Sequence, residues 1–202
     1  MFDSANKSRT IGLAEKYGSG IIVHPNVLAG MVRNDELRRI QEEGKIPEVF
    51  VENERPAGSR ELDAFVREEN IDIDPRVLMS SPIAIKWAFA DRYDLRINFG
   101  LDHYQKQQGV GVERVLENVW DRLGRVHISG PSHEVIGEGD EKLEELVSFI
   151  VKREELDKVV LVFDYSPTTM WRKSYREQLG VVQESISVVD EVVRRERDKQ
   201  GQ

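Results

Sequence analysis

Short apolar runs and amphipathic stretches alternate along this chain, and that alternation constrains the fold more than any other feature. Ile21-Ile22-Val23, Val49-Phe50-Val51, Ile97 to Leu101, Arg125 to Ile128 and Lys158 to Phe163 are too short for buried helices and read as strands. Between them, apolar spacings of three and four predict helices over 4–17 and about 34–43. Ser59 opens a third helix with Leu62, Phe65 and Val66 inward, and Ser81-Pro82 a fourth with Ile83, Trp87 and Ala90 inward. The stripe Val112, Val115, Leu116, Val119, Leu123 marks a fifth, and Leu143, Leu146, Val147, Ile150 a sixth. Pro25 is read as ending the first strand, and 71–80 as irregular around an Asp74-Pro75 turn. A long helix is expected from about Thr168 to Arg197, with Trp171, Tyr175, Val182, Ile186, Val189 and Val193 on its inner face.

Strands alternating with helices of this length point to parallel βαβ units and an α/β fold. Open doubly wound sheets and closed barrels share the pattern, so periodicity leaves both. No repeat, low-complexity tract or flexible linker divides the 202 residues, and a single domain over 1–202 is expected.

Composition narrows the function classes. Hydrophobic residues make up 39% and charged residues 33%, with no apolar run near the roughly 20 residues of a membrane span. Cysteine is absent, which removes disulfides and thiolate metal sites, and the N-terminus lacks the apolar core of a secretory signal. A cytoplasmic protein with no membrane partner is expected. The net charge of −8 disfavours broad attraction to nucleic acid without excluding a local basic patch.

In parallel α/β proteins, polar groups just beyond the strand C-termini converge on the functional site. Each strand here ends in a metal-competent residue: His24, Glu52, Asp102, His127 and Asp164 in turn. All four histidines (His24, His103, His127, His133) lie at or shortly after strand ends. Taken singly, a strand-end carboxylate is often a helix cap, and a lone strand histidine is often a core residue. Five in one register are harder to explain that way. Three carboxylates and an imidazole suit Mn²⁺, Mg²⁺, Co²⁺ or Zn²⁺, and without a cation the carboxylates would repel one another.

These segments resemble a known family, the xylose isomerase-like TIM barrels, which include sugar isomerases and epimerases and the apurinic endonuclease IV branch. The resemblance lies in Ile21 to Pro25 (strand ending His-Pro), Val49 to Asn53 with Gly58-Ser59, Phe99 to Asp102, Arg125 to Ser129, His133 to Asp140 (His-x-x-Ile-Gly-x-Gly) and Leu161 to Pro167. It covers about residues 8–167 and implies an incomplete or divergent (β/α) TIM barrel over about 1–167, followed by the C-terminal helix. The chain starts at what resembles the helix before the family's third strand, so the first two strands are expected to be missing. Exposed barrel edges would then be covered by the long helix, by a strand from 71–80, or by a second copy.

Carried over residue by residue, the resemblance implies one divalent metal ion held by Glu52, Asp102, His127 and Asp164. Glu52 and Asp164 would double as an acid–base pair, and His24, His103, Gln105 and His133 would line the substrate site. The implied activity is isomerisation or epimerisation of a small sugar or sugar phosphate. The pattern departs from the family in Asp164 for a usual glutamate, Gln105 for a usual histidine, and Pro131 for an aspartate of the endonuclease trinuclear site. An endonuclease IV-like phosphodiesterase on abasic DNA is therefore the second reading, predicting Arg33, Arg55, Arg60, Arg172 and Lys173 around the metal. A non-catalytic shortened barrel with an assembly role, oligomeric through the long helix, is the third.

Overall fold

A computed structural model describes residues 4–104, 110–129, 136, 139–153, 158–165, 170–171 and 173–201, with side chains described from residue 9. Five parallel strands with helices between them make an α/β chain. It resolves into two compact units, residues 1–98 and 99–202.

The first unit begins with α1 (Ser4–Tyr17) and β1 (Ile21–Val23). Gly20 lies where a Cβ would sit 3.0 Å from the Glu48 carbonyl oxygen, so only glycine lets β1 approach its neighbour there. Next come α2 (Pro25–Arg33), α3 (Glu36–Glu43) and β2 (Val49–Glu52). Pro25 does not merely stop the strand. It occupies the first turn of α2, where its missing N–H and fixed φ cost nothing, and Leu28, Ala29 and Met31 are buried behind it. Gly44 closes α3 at φ 62°.

The Ser59 side chain accepts from the Leu62 N–H and caps α4 (Arg60–Glu68), which buries Leu62 and Phe65. Residues 71–80 supply neither a strand nor an irregular stretch. Asp74 accepts from the Arg76 N–H and Pro75 starts α5 (Pro75–Ser80), the same cap-then-proline device. Ser81 then caps α6 (Pro82–Ile85).

Lys86–Ala90 widens into a π-helical turn, with the Asp91 N–H bonded to the Lys86 carbonyl, before α7 (Asp91–Tyr93) and β3 (Arg96–Gly100). Ile85, Ala88 and Phe89 are buried there, whereas Ile83 and Trp87 are exposed, Trp87 by 56%. The inward face expected from the sequence is thus corrected. Phe89 stacks on Phe65 with ring centroids 4.7 Å apart, which fixes this segment against α4. Arg33 reaches from α2 to Glu68 (2.8 Å) and Glu61 (2.7 Å) on α4.

β1 pairs parallel with β2, and β2 with β3, in the registers Val23↔Val51 and Glu52↔Asn98. Side chains alternate between faces, and residues in register share one. One face therefore carries Ile21, Val23, Val49, Val51 and Ile97, all apolar. The other carries Phe50, Glu52, Arg96 and Asn98.

The second unit holds α8 (Val112–Val119), β4 (Leu123–Ile128), α9 (Glu141–Lys152), β5 (Val160–Phe163) and α10 (Tyr175–Gln200). Leu123 is the first residue of β4 rather than the last of the α8 stripe. Asp140 caps α9 through the Leu143 N–H, and β4 pairs parallel with β5, His127 opposite Val162. Trp120 packs edge-on to Phe149 at 5.3 Å, with the Arg153 guanidinium over both rings.

Ser174 and Glu177 form a capping box at the start of α10. This helix packs along α9, and Arg195 meets Glu144 at 2.7 Å. Its buried side is Val181, Ser185, Val188, Val189, Val192 and Glu196, while Trp171, Tyr175 and Ile186 are exposed. The stripe read from the sequence is turned by about one residue, because Val188-Val189 and Val192-Val193 offer two nearly equivalent apolar sides.

Candidate functional site

Every strand-end residue singled out in the sequence lies at a strand C-terminus, within its own unit. His24 follows β1 and is the residue before the first turn of α2. Its Nε2 lies 3.5 Å from Oε2 of Glu54, a partner that sequence reasoning missed although it stands two residues past Glu52. The Glu54 N–H donates to the Met79 carbonyl at 2.9 Å, which anchors the segment leaving β2. Glu52 is the last residue of β2 and is 5% exposed, on the polar face of the three-strand sheet beside Asn98.

In the second unit, Asp102 lies two residues beyond β3, with its side chain almost wholly withdrawn from water. The Leu101 N–H donates to the His127 carbonyl at 3.1 Å, which brings this turn to the end of β4. His103 Nδ1 stands 3.5 Å from Asp102 Oδ2. The Asp164 N–H donates to the Ile128 carbonyl at 3.1 Å, and this extension of the β4–β5 ladder sets Asp164 diagonally next to His127. His127 Nδ1 and Asp164 Oδ2 are 3.7 Å apart; the imidazole is buried and the carboxylate 39% exposed. Ser129, also buried, follows on the same face of β4 as His127.

Three pairs are therefore brought together: His24 with Glu54, Asp102 with His103, and His127 with Asp164. Among the described residues, no group of three or more His, Asp or Glu is gathered closely enough to hold a metal ion. Gln105 and His133 lie outside the described residues, as do Pro131, Gly137 and Arg172.

The donor types fit a hard or borderline divalent cation. A separation of 3.7 Å is too long for a direct hydrogen bond. It suits two donors on one ion, since ligands about 2.0–2.2 Å from a cation stand roughly 3–3.8 Å apart. Of the basic residues expected to mark a nucleic-acid face, Arg33 is engaged with Glu61 and Glu68.

No family model and no curated protein matches the chain. Solved structures do. An L-ribulose 3-epimerase superposes over 100% of this chain and 72% of its own, at 10% identity and a TM-score of 0.56. The chain shares its fold with that epimerase. A D-psicose 3-epimerase with D-tagatose, from Clostridium cellulolyticum H10, aligns over 80% of the chain at 13% identity and a TM-score of 0.48. This chain spans 55% of the length of the psicose enzyme.

The likeness to L-ribulose 3-epimerase bears out the α/β, partial TIM-barrel-like architecture read from the sequence, with five parallel strands and the long C-terminal helix. At these identities it is a likeness of fold. Among the described residues no helix is long and apolar enough to cross a membrane.

Proposed function

We propose that the chain is a divalent-metal-dependent isomerase or epimerase of a small sugar or sugar phosphate. Glu52, Asp102, His127 and Asp164 would hold one Mn²⁺, Co²⁺, Mg²⁺ or Zn²⁺ ion. The observation that carries the reading is the placing of these four side chains at the C-terminal ends of successive strands, in a fold shared with a sugar 3-epimerase. When bound, the cation would act as a Lewis acid on the oxygens of the substrate.

The proton chemistry falls to Glu52 and Asp164. One carboxylate removes the proton from the carbon beside the carbonyl, and the other returns a proton to the opposite face or to the neighbouring carbon. Their environments differ in a way that suits two roles. Glu52 is excluded from water, so a proton taken there is shielded from exchange. The Asp164 carboxylate is 39% exposed and can trade its proton with solvent. His127, beside Asp164, orients that carboxylate.

The test is isotope exchange. Incubating the chain with Mn²⁺ and L-ribulose in D₂O should place deuterium on the carbon beside the carbonyl, read by proton NMR, and Glu52→Gln should abolish it. No exchange into L-ribulose or any ketopentose or ketohexose, with each candidate metal supplied, would overturn the proposal.

A further inference from the structure

Asn98 is the one residue of the β2–β3 face whose chemistry the reading above leaves unused. It is 0% exposed, sits in register with Glu52, and lies on the same face of the sheet. The opposite face of these strands is wholly apolar, so an asparagine here is not a packing residue that strayed. Among the described residues, neither its Nδ2 nor its Oδ1 has a hydrogen-bond partner. A buried amide with both ends unmet is costly, and a leucine of similar volume would avoid that cost.

We infer that Asn98 is a substrate-binding residue that reads a hydroxyl group next to the carbon on which Glu52 acts. The inference rests on the epimerase reading and deepens it by naming the chemistry recognised. A carboxamide offers two donors and one acceptor. An anion would use only the donors, a cation only the acceptor. A hydroxyl both donates and accepts, so one hydroxyl, or two neighbouring ones, satisfies both ends of the amide. Asn98 therefore selects a neutral polyhydroxylated segment at this position. The phosphate of a sugar phosphate, whose oxygens accept only, belongs elsewhere in the site. Substrates lacking the hydroxyl are discriminated against, because they leave the buried amide unmet.

The experiment compares wild type with Asn98→Leu by thermal unfolding, with and without L-ribulose, and by steady-state kinetics on the ketose that wild type turns over best. Asn98→Leu should raise the unfolding midpoint of the ligand-free protein by roughly 2–8 °C, since it removes an unmet polar group. The same variant should lose the upward shift that L-ribulose gives wild type, and raise KM about tenfold or more. Asn98→Ala gives the same ligand readouts should the leucine prevent folding.

An unchanged ligand shift and KM in these variants would overturn the role of Asn98 while leaving the epimerase reading intact; a structural water would then account for the amide. Absence of any ligand shift or turnover in wild type, with L-ribulose and other ketopentoses and ketohexoses, would overturn both.

Discussion

The π-helical turn at Lys86–Ala90 yields the sharpest prediction about the fold, because it reverses which aromatic residue faces the core. A regular helix from Pro82 with Ile83 inward would bury Trp87, and the structure instead buries Phe89 and leaves Trp87 56% exposed. Phe89→Ala deletes a fully buried ring that stacks on Phe65 at 4.7 Å. Loss of transfer free energy together with the cavity left behind costs about 3–5 kcal/mol. Some 0.5–1.5 kcal/mol of that belongs to the stacked pair and should reappear as coupling in a cycle with Phe65→Leu and Phe89→Leu. Trp87→Ala removes a larger side chain but mostly surface contact, so it should cost about 1 kcal/mol or less.

The assay is urea unfolding followed by circular dichroism, comparing midpoints at constant slope. In thermal terms Phe89→Ala should lower the midpoint by roughly 6–20 °C, at about 2–4 °C per kcal/mol for a chain of this size. If Trp87→Ala were as damaging as Phe89→Ala, the π turn would be wrong and the face with Ile83 and Trp87 would be the buried one.

Other consequences are smaller but equally direct. Ser59→Ala removes the cap on the Leu62 N–H and should cost about 1 kcal/mol by chemical denaturation, with Ser59→Asp restoring most of it. On α10, Val192→Ala should destabilise by about 1–3 kcal/mol while Ile186→Ala stays within about 0.5–1 kcal/mol, since Val192 is buried and Ile186 is exposed. Equal losses would restore the face expected from spacing alone.

Burial raises the Tyr165 phenol above its ordinary value; the Ser185 hydroxyl opposes this and the charge of Glu184 adds to it. A folded-state pKa above the unfolded one contributes stability that is full below the unfolded value, near about 10, and lost as pH rises through the folded one. Tyr165→Phe should therefore make the alkaline decline in stability shallower and remove part of the late absorbance rise at 295 nm. An unchanged decline would contradict the assignment.

What the sequence disclosed, and what it hid, follows from the range of the forces involved. All five strands were legible because each is a compact apolar run bounded by glycine, proline or polar residues. Ser59 and Ser81 were legible as caps, since capping acts within three residues. Pro25 and Pro75 were misjudged for a related reason. A proline that ends an extended run is also well placed to begin a helix, and only the buried Leu28 and Leu78 that follow choose between the two. The π turn and the rotation of α10 were hidden because both depend on partners distant in sequence, Phe65 in one case and α9 in the other.

The strand-end positions of Glu52, Asp102, His127 and Asp164 could be read from local pattern, and the closeness of His127 to Asp164 could not, because it depends on the β4–β5 register. Asn98 was visible as a polar residue inside an apolar strand. Its meaning emerges only from its pairing with Glu52.

The central claim is that Glu52, Asp102, His127 and Asp164 bind one divalent cation, and stoichiometric metal binding tests it most directly. Isothermal titration of the chelator-stripped chain with Mn²⁺ and Co²⁺, checked by elemental analysis of the purified protein, should give one ion per chain. Glu52→Gln and His127→Ala should each weaken binding about tenfold or more without lowering the unfolding midpoint of the metal-free protein. No uptake of any of the four metals, three ions per chain, or binding indifferent to both substitutions would contradict the account.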